Sequence, residues 1–139
     1  MCWPCDCGSA VEDPGHRIVV DVATAYVEEQ SDPREKRFVF AYTITIKNEG
    51  ELPARLLTRH WIITDANGKV QEVRGEGVVG EKPVLRPGQA FEYTSWCMLA
   101  TPHGSMHGTY QMVTEAGEPF DIDIPAFSLD TPQGGRTIN

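Results

Sequence analysis

From Arg17 onward the chain exchanges apolar and polar residues at period two. Ile18, Val20 and Val22 share one face while Val19, Asp21 and Ala23 take the other, which is the signature of a half-buried strand. A polar connection with Pro33 inside it, residues 30–36, separates this strand from the clearest stripe in the chain. There Phe38, Phe40, Tyr42, Ile44 and Ile46 alternate with Val39, Ala41, Thr43, Thr45 and Lys47. Large apolar residues in strict alternation predict a central strand packed on the core. Asn48-Glu49-Gly50-Glu51-Leu52-Pro53 ends it with loop chemistry.

Residues 56–66 and 69–73 form the next two runs, joined by Asn67-Gly68. Asn-Gly in that position predicts a hairpin with a type I′ turn, whose central residues both need positive φ. Strands over residues 90–99 and 109–114 follow a glycine- and proline-rich stretch. Ala116-Gly117-Glu118-Pro119 then turns into a last strand over residues 120–129, where Pro125 predicts an edge position or a bulge. Seven or eight short strands with no helix predict an all-β fold: a two-sheet antiparallel β-sandwich of the immunoglobulin/fibronectin-III-like kind. A closed barrel is the alternative. No Cys…Trp…Cys spacing is present, so an antibody-type disulfide core is excluded.

The length of 139 residues fits one domain able to bury a core without metal or disulfide support. We place it at residues 17–132, between a flexible cysteine-containing tail at 1–16 and a disordered tail at 133–139. Composition is ordinary, at 40% hydrophobic and 23% charged. The formal charge of −8 opposes attachment to nucleic acid or anionic lipid, both of which need surplus Lys and Arg. No apolar run is long enough to span a membrane, and the N-terminus has neither the basic start nor the apolar stretch of a secretory signal. The expected location is the cytoplasm.

Gly75-Glu76-Gly77-Val78-Val79-Gly80 has the GxGxxG spacing of a dinucleotide site. Such a site needs a helix whose N-terminus meets the pyrophosphate. Here Pro83 and Pro87 follow with no apolar repeat at helical spacing, so a glycine-rich loop between strands is expected. Successive N–H groups in such a loop can still form an anion-binding nest. Arg74, Lys82 and Arg86 flank it, partly cancelled by Glu72, Glu76 and Glu81.

The remaining chemistry is sparse. Cys2, Cys5 and Cys7 crowd the first seven residues, and Cys97 stands alone. Three thiolates would hold zinc if His16 or Cys97 supplied a fourth ligand, but the second CxxC of a structural zinc site is absent. Cys97 reads as a small buried hydrophobe. His103 and His107 lie in a loop-like segment that could bind a divalent ion with Asp121 or Asp123. Both aspartates read more simply as solvated outer-face charges. In Arg59-His60-Trp61, strand alternation puts Arg59 and Trp61 on one face, as a core Trp with its ring covered by Arg. No catalytic residue, cofactor site or metal site is assigned, since no nucleophile, base and metal set is evident in local spacing.

Several longer stretches are familiar. Arg59-His60-Trp61-Ile62-Ile63-Thr64-Asp65-Ala66-Asn67-Gly68, the glycine motif with Glu81 and Pro83, and Leu85-Arg86-Pro87-Gly88 are three of them. Tyr93-Thr94-Ser95, Gly104-Ser105-Met106-His107-Gly108-Thr109-Tyr110-Gln111-Met112 and Ile124-Pro125-Ala126-Phe127-Ser128-Leu129 complete the set. Together they resemble the bacterial ApaG family over residues 17–132. The resemblance implies a fibronectin-III or immunoglobulin-like sandwich, and a functional label of cobalt and magnesium resistance. Related domains in eukaryotic F-box proteins and a DNA-polymerase-interacting protein imply interaction modules. One departure is Trp96-Cys97, where the family commonly continues Tyr-Thr-Ser with glycine.

The expectation is therefore a non-enzymatic module that binds a protein partner. Its contact is placed at Arg74, Gly75, Gly77, Gly80 and the loop to Pro87, with Trp96 as an anchor if exposed. The alternative is an accessory protein of cobalt and magnesium tolerance that binds an ion, pyrophosphate or nucleotide at the glycine-rich loop. Unpaired sheet edges leave homo-oligomerisation open.

Overall fold

The computed structural model describes residues 17–132; the cysteine-rich segment 1–16 and the segment 133–139 lie outside the described residues. Eight strands follow in chain order: β1 Ile18–Tyr26, β2 Phe38–Asn48, β3 Ala54–Asp65, β4 Val70–Glu76, β5 Val84–Leu85, β6 Ala90–Leu99, β7 His103–Thr114 and β8 Pro119–Asp130. They form two antiparallel sheets, β1-β2-β6 and β4-β3-β7-β8, with β5 pairing the start of β3. The chain changes sheet between β2 and β3, returns for β6 and leaves again for β7. That is the connectivity of a fibronectin-III-like sandwich, and the barrel alternative falls because the two sheets do not join.

Every stripe finds its face. Phe40, Tyr42, Ile44 and Ile46 of β2 are buried against Trp61 and Ile63 of β3, Met106, Tyr110 and Met112 of β7, and Ile124 and Leu129 of β8. On β3 the inward set shifts from Ala54 and Leu56 to Arg59, Trp61 and Ile63. A bulge between Leu56 and Thr58 absorbs one residue and keeps both halves facing the core. The β8 strand is an edge, and its register shifts beside Pro125; proline supplies no N–H to a ladder.

Two expectations need correction. The Asn67-Gly68 hairpin is real, but φ is positive at Gly68 and not at Asn67. Asp65 and Lys69 close a three-residue loop, with the Gly68 N–H donating to the Asp65 carbonyl at 3.0 Å. This is a type I turn followed by a left-handed glycine, held by the Asp65 carboxylate accepting from the Asn67 and Lys69 N–H groups. The type I′ turn sits instead at Val79-Gly80, with φ of 42° and 82° and reciprocal Val78–Glu81 backbone bonds. The loop-like segment 103–108 is the first half of β7. The connection after β1 contains two single 3-10 turns, Glu28–Gln30 and Pro33–Glu35, too short to alter the all-β reading. No helix among the described residues is long and apolar enough to cross a membrane.

Candidate functional site

The two sheets are closed on one side and open on the other. Strands β1 and β8 pack against each other, whereas the edges β6 and β4 face across a gap. This cleft, about 370 Å³, is lined from β6 by Ser95, Trp96, Cys97 and Met98, and from β4 by Gln71 and Val73. Tyr42, Arg59, Trp61, Ile63 and Met106 form its inner surface.

Alternation explains the placement. On β6, Tyr93, Ser95, Cys97 and Leu99 point inward, so Trp96 and Met98 point outward, 56% and 60% exposed. Behind them on the outer face, Trp96 pairs with Ala41 and Met98 with Val39, and Ala41 pairs in turn with Ala25. Small neighbours leave the indole and thioether uncovered. Farther along the same face the ladder turns polar, with a Thr43–Thr94 hydroxyl bond of 2.8 Å and Thr45 donating to Glu92. The bulky Trp96 therefore faces solvent.

Arg59 connects this edge to the glycine motif. It lies opposite Gly75 in the β3–β4 ladder, and a Cβ at position 75 would fall 2.7 Å from its guanidinium. Glycine there is a seat for the cation and not a hinge. The guanidinium donates to the carbonyls of Glu76 and Gly77, at 3.1 and 2.8 Å. Gly75 is thus part of β4, and the loop proper begins at Gly77, whose N–H donates to the Leu57 carbonyl at 2.7 Å. The N–H groups of Val78 and Glu81 are also taken by backbone carbonyls, so three donors of the expected nest serve the fold. Gly80 lies at the turn, and Arg74 reaches outward to Glu72 at 3.5 Å.

The outer face of the second sheet carries the other sequence candidates. His60 points away from Arg59 and Trp61 and meets Glu72 at 3.1 Å. That bond, then Arg74, holds the Glu72 carboxyl below its ordinary range. His103 and His107 both lie exposed on β7, four residues and roughly 13 Å apart along a strand, so one ion does not bridge them. Asp121 and Asp123 share the exposed face of β8, opposite Gln111 and Thr109. Among the described residues no three His, Cys, Asp or Glu side chains converge.

Inside, burial dominates. Cys97 is buried and its thiol is pushed up to about 11 by desolvation, which leaves it a poor nucleophile near neutrality. The Tyr93 and Tyr110 hydroxyls hydrogen-bond to each other from opposite sheets, and burial raises both above the usual tyrosine range. Tyr42, raised by burial, is hydrogen-bonded by Ser95. Trp61 is 2% exposed, ringed edge-on by Tyr42, Tyr110 and Phe127, and its Nε1 finds no acceptor among the described residues. Tyr42, Gln71 and Met98 went unremarked as site residues in the sequence. Arg59 was the available signal, as a cation on an otherwise apolar inward stripe.

Known proteins resemble the chain along nearly all of this framework. The family model described as the ApaG domain matches residues 28–114. A "Protein ApaG" of Rhodospirillum centenum is 61% identical over 122 residues, covering 88% of this chain and 94% of the relative. One from Rhodopseudomonas palustris is 57% identical over 123 residues, covering 88% and 95%. A crystal structure of a Bordetella pertussis protein titled ApaA superposes with a TM-score of 0.83 at 53% identity, covering 85% of this chain and 96% of that one.

Proposed function

Because the chain belongs to the ApaG domain family, we propose that it is a non-enzymatic protein-interaction module that receives its partner on the outer face of β6. The exposed pair Trp96 and Met98 carries this reading. Single exposed apolar residues are common, but a large aromatic beside a methionine on a floor of Val39, Ala41 and Ala25 makes a contiguous patch. Trp is the residue most enriched among binding hot spots, and Met adapts to irregular partners. Since β6 is also an edge, its free backbone groups offer strand pairing alongside the side-chain contact. The glycine-rich turn belongs to the same end of the reading through Arg59, which fixes Gly77 from the cleft side. A cytoplasmic setting goes with it. The cobalt and magnesium reading has no convergent donor set to stand on among the described residues.

The test is affinity capture from lysate with the full chain and its Trp96→Ala and Met98→Ala variants. Both substitutions are on the surface, so melting transitions are expected to stay within about 1 kcal/mol of the parent. A captured protein that disappears with either substitution while the fold persists supports the assignment. The same protein retained at equal yield by both variants removes the patch from it.

A further inference from the structure

We propose that the cleft between the β4 and β6 edges is a small-molecule site for an aromatic carboxylate, with Arg59 and the Trp61 indole N–H as its donors. This stands apart from the outer-face reading, because Trp96 and Met98 side chains serve the partner patch while the cleft opens inward past Ser95 and Cys97. Three observations converge. The volume, about 370 Å³, falls at the low end of ligand pockets and suits a single ring. Its lining is mixed, with Ile63, Val73 and Met106 beside Tyr42, Gln71 and Ser95, and its one formally charged side chain is Arg59; neither Asp nor Glu is present. In a chain of net charge −8, that is a local reversal of sign. The third observation is the orphan. Trp61 forms part of the inner surface, is 2% exposed, and leaves Nε1–H unpaired among the described residues.

A buried donor without an acceptor costs about 1–3 kcal/mol, and a ligand that brings an acceptor recovers it. Nε1 is covered at rest, so the carboxylate reaches it as the side chains lining the cleft shift. Guanidinium and indole N–H then both donate to carboxylate oxygens, and the ring replaces water against Ile63 and Val73. Arg59 already donates one nitrogen to the Glu76 and Gly77 carbonyls, which holds it at the cleft before a ligand arrives.

The probes are phenylacetate and its uncharged analogue phenylacetamide, titrated into the ¹⁵N-labelled full chain. The indole N–H resonance of Trp61 is identified as the one that survives in Trp3→Phe and Trp96→Phe variants. It is expected to move and saturate with phenylacetate, and the amide is expected to bind at least about tenfold more weakly. Gly75→Ala places a methyl against the movable end of Arg59, so it should displace the guanidinium without unfolding the chain. It should weaken phenylacetate by a similar factor and leave phenylacetamide unchanged. The two-probe comparison on the unmodified protein decides the matter even if the variant folds poorly. A Trp61 signal that stays still up to about 50 mM, equal affinity for both probes, or shifts confined to the Trp96 indole would overturn the proposal.

Discussion

Asn48 shows how one side chain can hold together segments far apart in sequence. It is fully buried, and each polar atom is used. Its Nδ2 donates to the Leu52 and Leu85 carbonyls at 2.8 and 2.9 Å, and its Oδ1 accepts from the Gly50 N–H at 2.9 Å. The loop after β2 is thereby tied to β5. Removing the amide leaves buried carbonyls and an N–H without partners, so Asn48→Ala should cost about 3 kcal/mol, read as a fall in the urea midpoint. A loss below about 1 kcal/mol would mean that water takes over those bonds. Position 48 reads in the sequence as a strand-ending loop residue, which it is. Its long-range bond to Leu85 leaves no trace, because nothing local to residue 48 names a partner 37 positions away. Trp61 is the opposite case: its burial follows from alternation along β3, while its unpaired N–H is visible only in three dimensions.

At the scale of elements, the turns show what local chemistry fixes and what it leaves to the rest of the chain. Asn-Gly marked the hairpin between β3 and β4, but not its register. The observed three-residue loop places His60 opposite Arg74, whereas a two-residue loop would set it opposite Gly75. A one-residue slip exchanges faces throughout a strand, so the seating of Arg59 over Gly75 was beyond what the turn could specify. The reverse surprise is Val79, an exposed β-branched residue held at φ 42° in a type I′ turn. Val in this region is a steric outlier, while Asn tolerates it. Val79→Asn should therefore stabilise by about 0.5–1 kcal/mol, raising the calorimetric midpoint by a few degrees. An unchanged or lowered midpoint would show that the valine is not strained in solution. Strands themselves were legible wherever both faces differ, as in β2 and β6. The first half of β7 was not, because Gly104, Ser105, His107 and Gly108 supply no apolar stripe. Glycine stands at 108 because a side chain would run into the His60 carbonyl on β3.

For the whole molecule, the hydroxyl pair in the core sets the response to alkali. Tyr93 and Tyr110 are raised from an ordinary value of 10.0, chiefly by burial. The folded state therefore keeps protons that the unfolded chain releases. Their contribution is intact below pH 10 and is lost as pH rises beyond it. Cys97, lifted from 9.0 to about 11, begins the decline one unit earlier. Urea midpoints should hold steady from about pH 7 to 8.5 and then fall, with a shallower limb in the Tyr93→Phe/Tyr110→Phe double variant. Equal slopes would place the alkaline loss elsewhere. The sandwich as a whole was legible from stripes and turns, but its open side was not, since which edges meet depends on the order of strands. That order also governs assembly. The larger sheet ends at β4 and at β8, and β8 is spoiled for pairing by Pro125 and by the register shift beside it. A sheet that accepts a neighbour at one edge alone uses up its capacity in the first encounter. Copies of this chain that joined through that sheet would cap each other as a pair, and the proline beside the register shift of β8 would keep the sheet from propagating as a fibre.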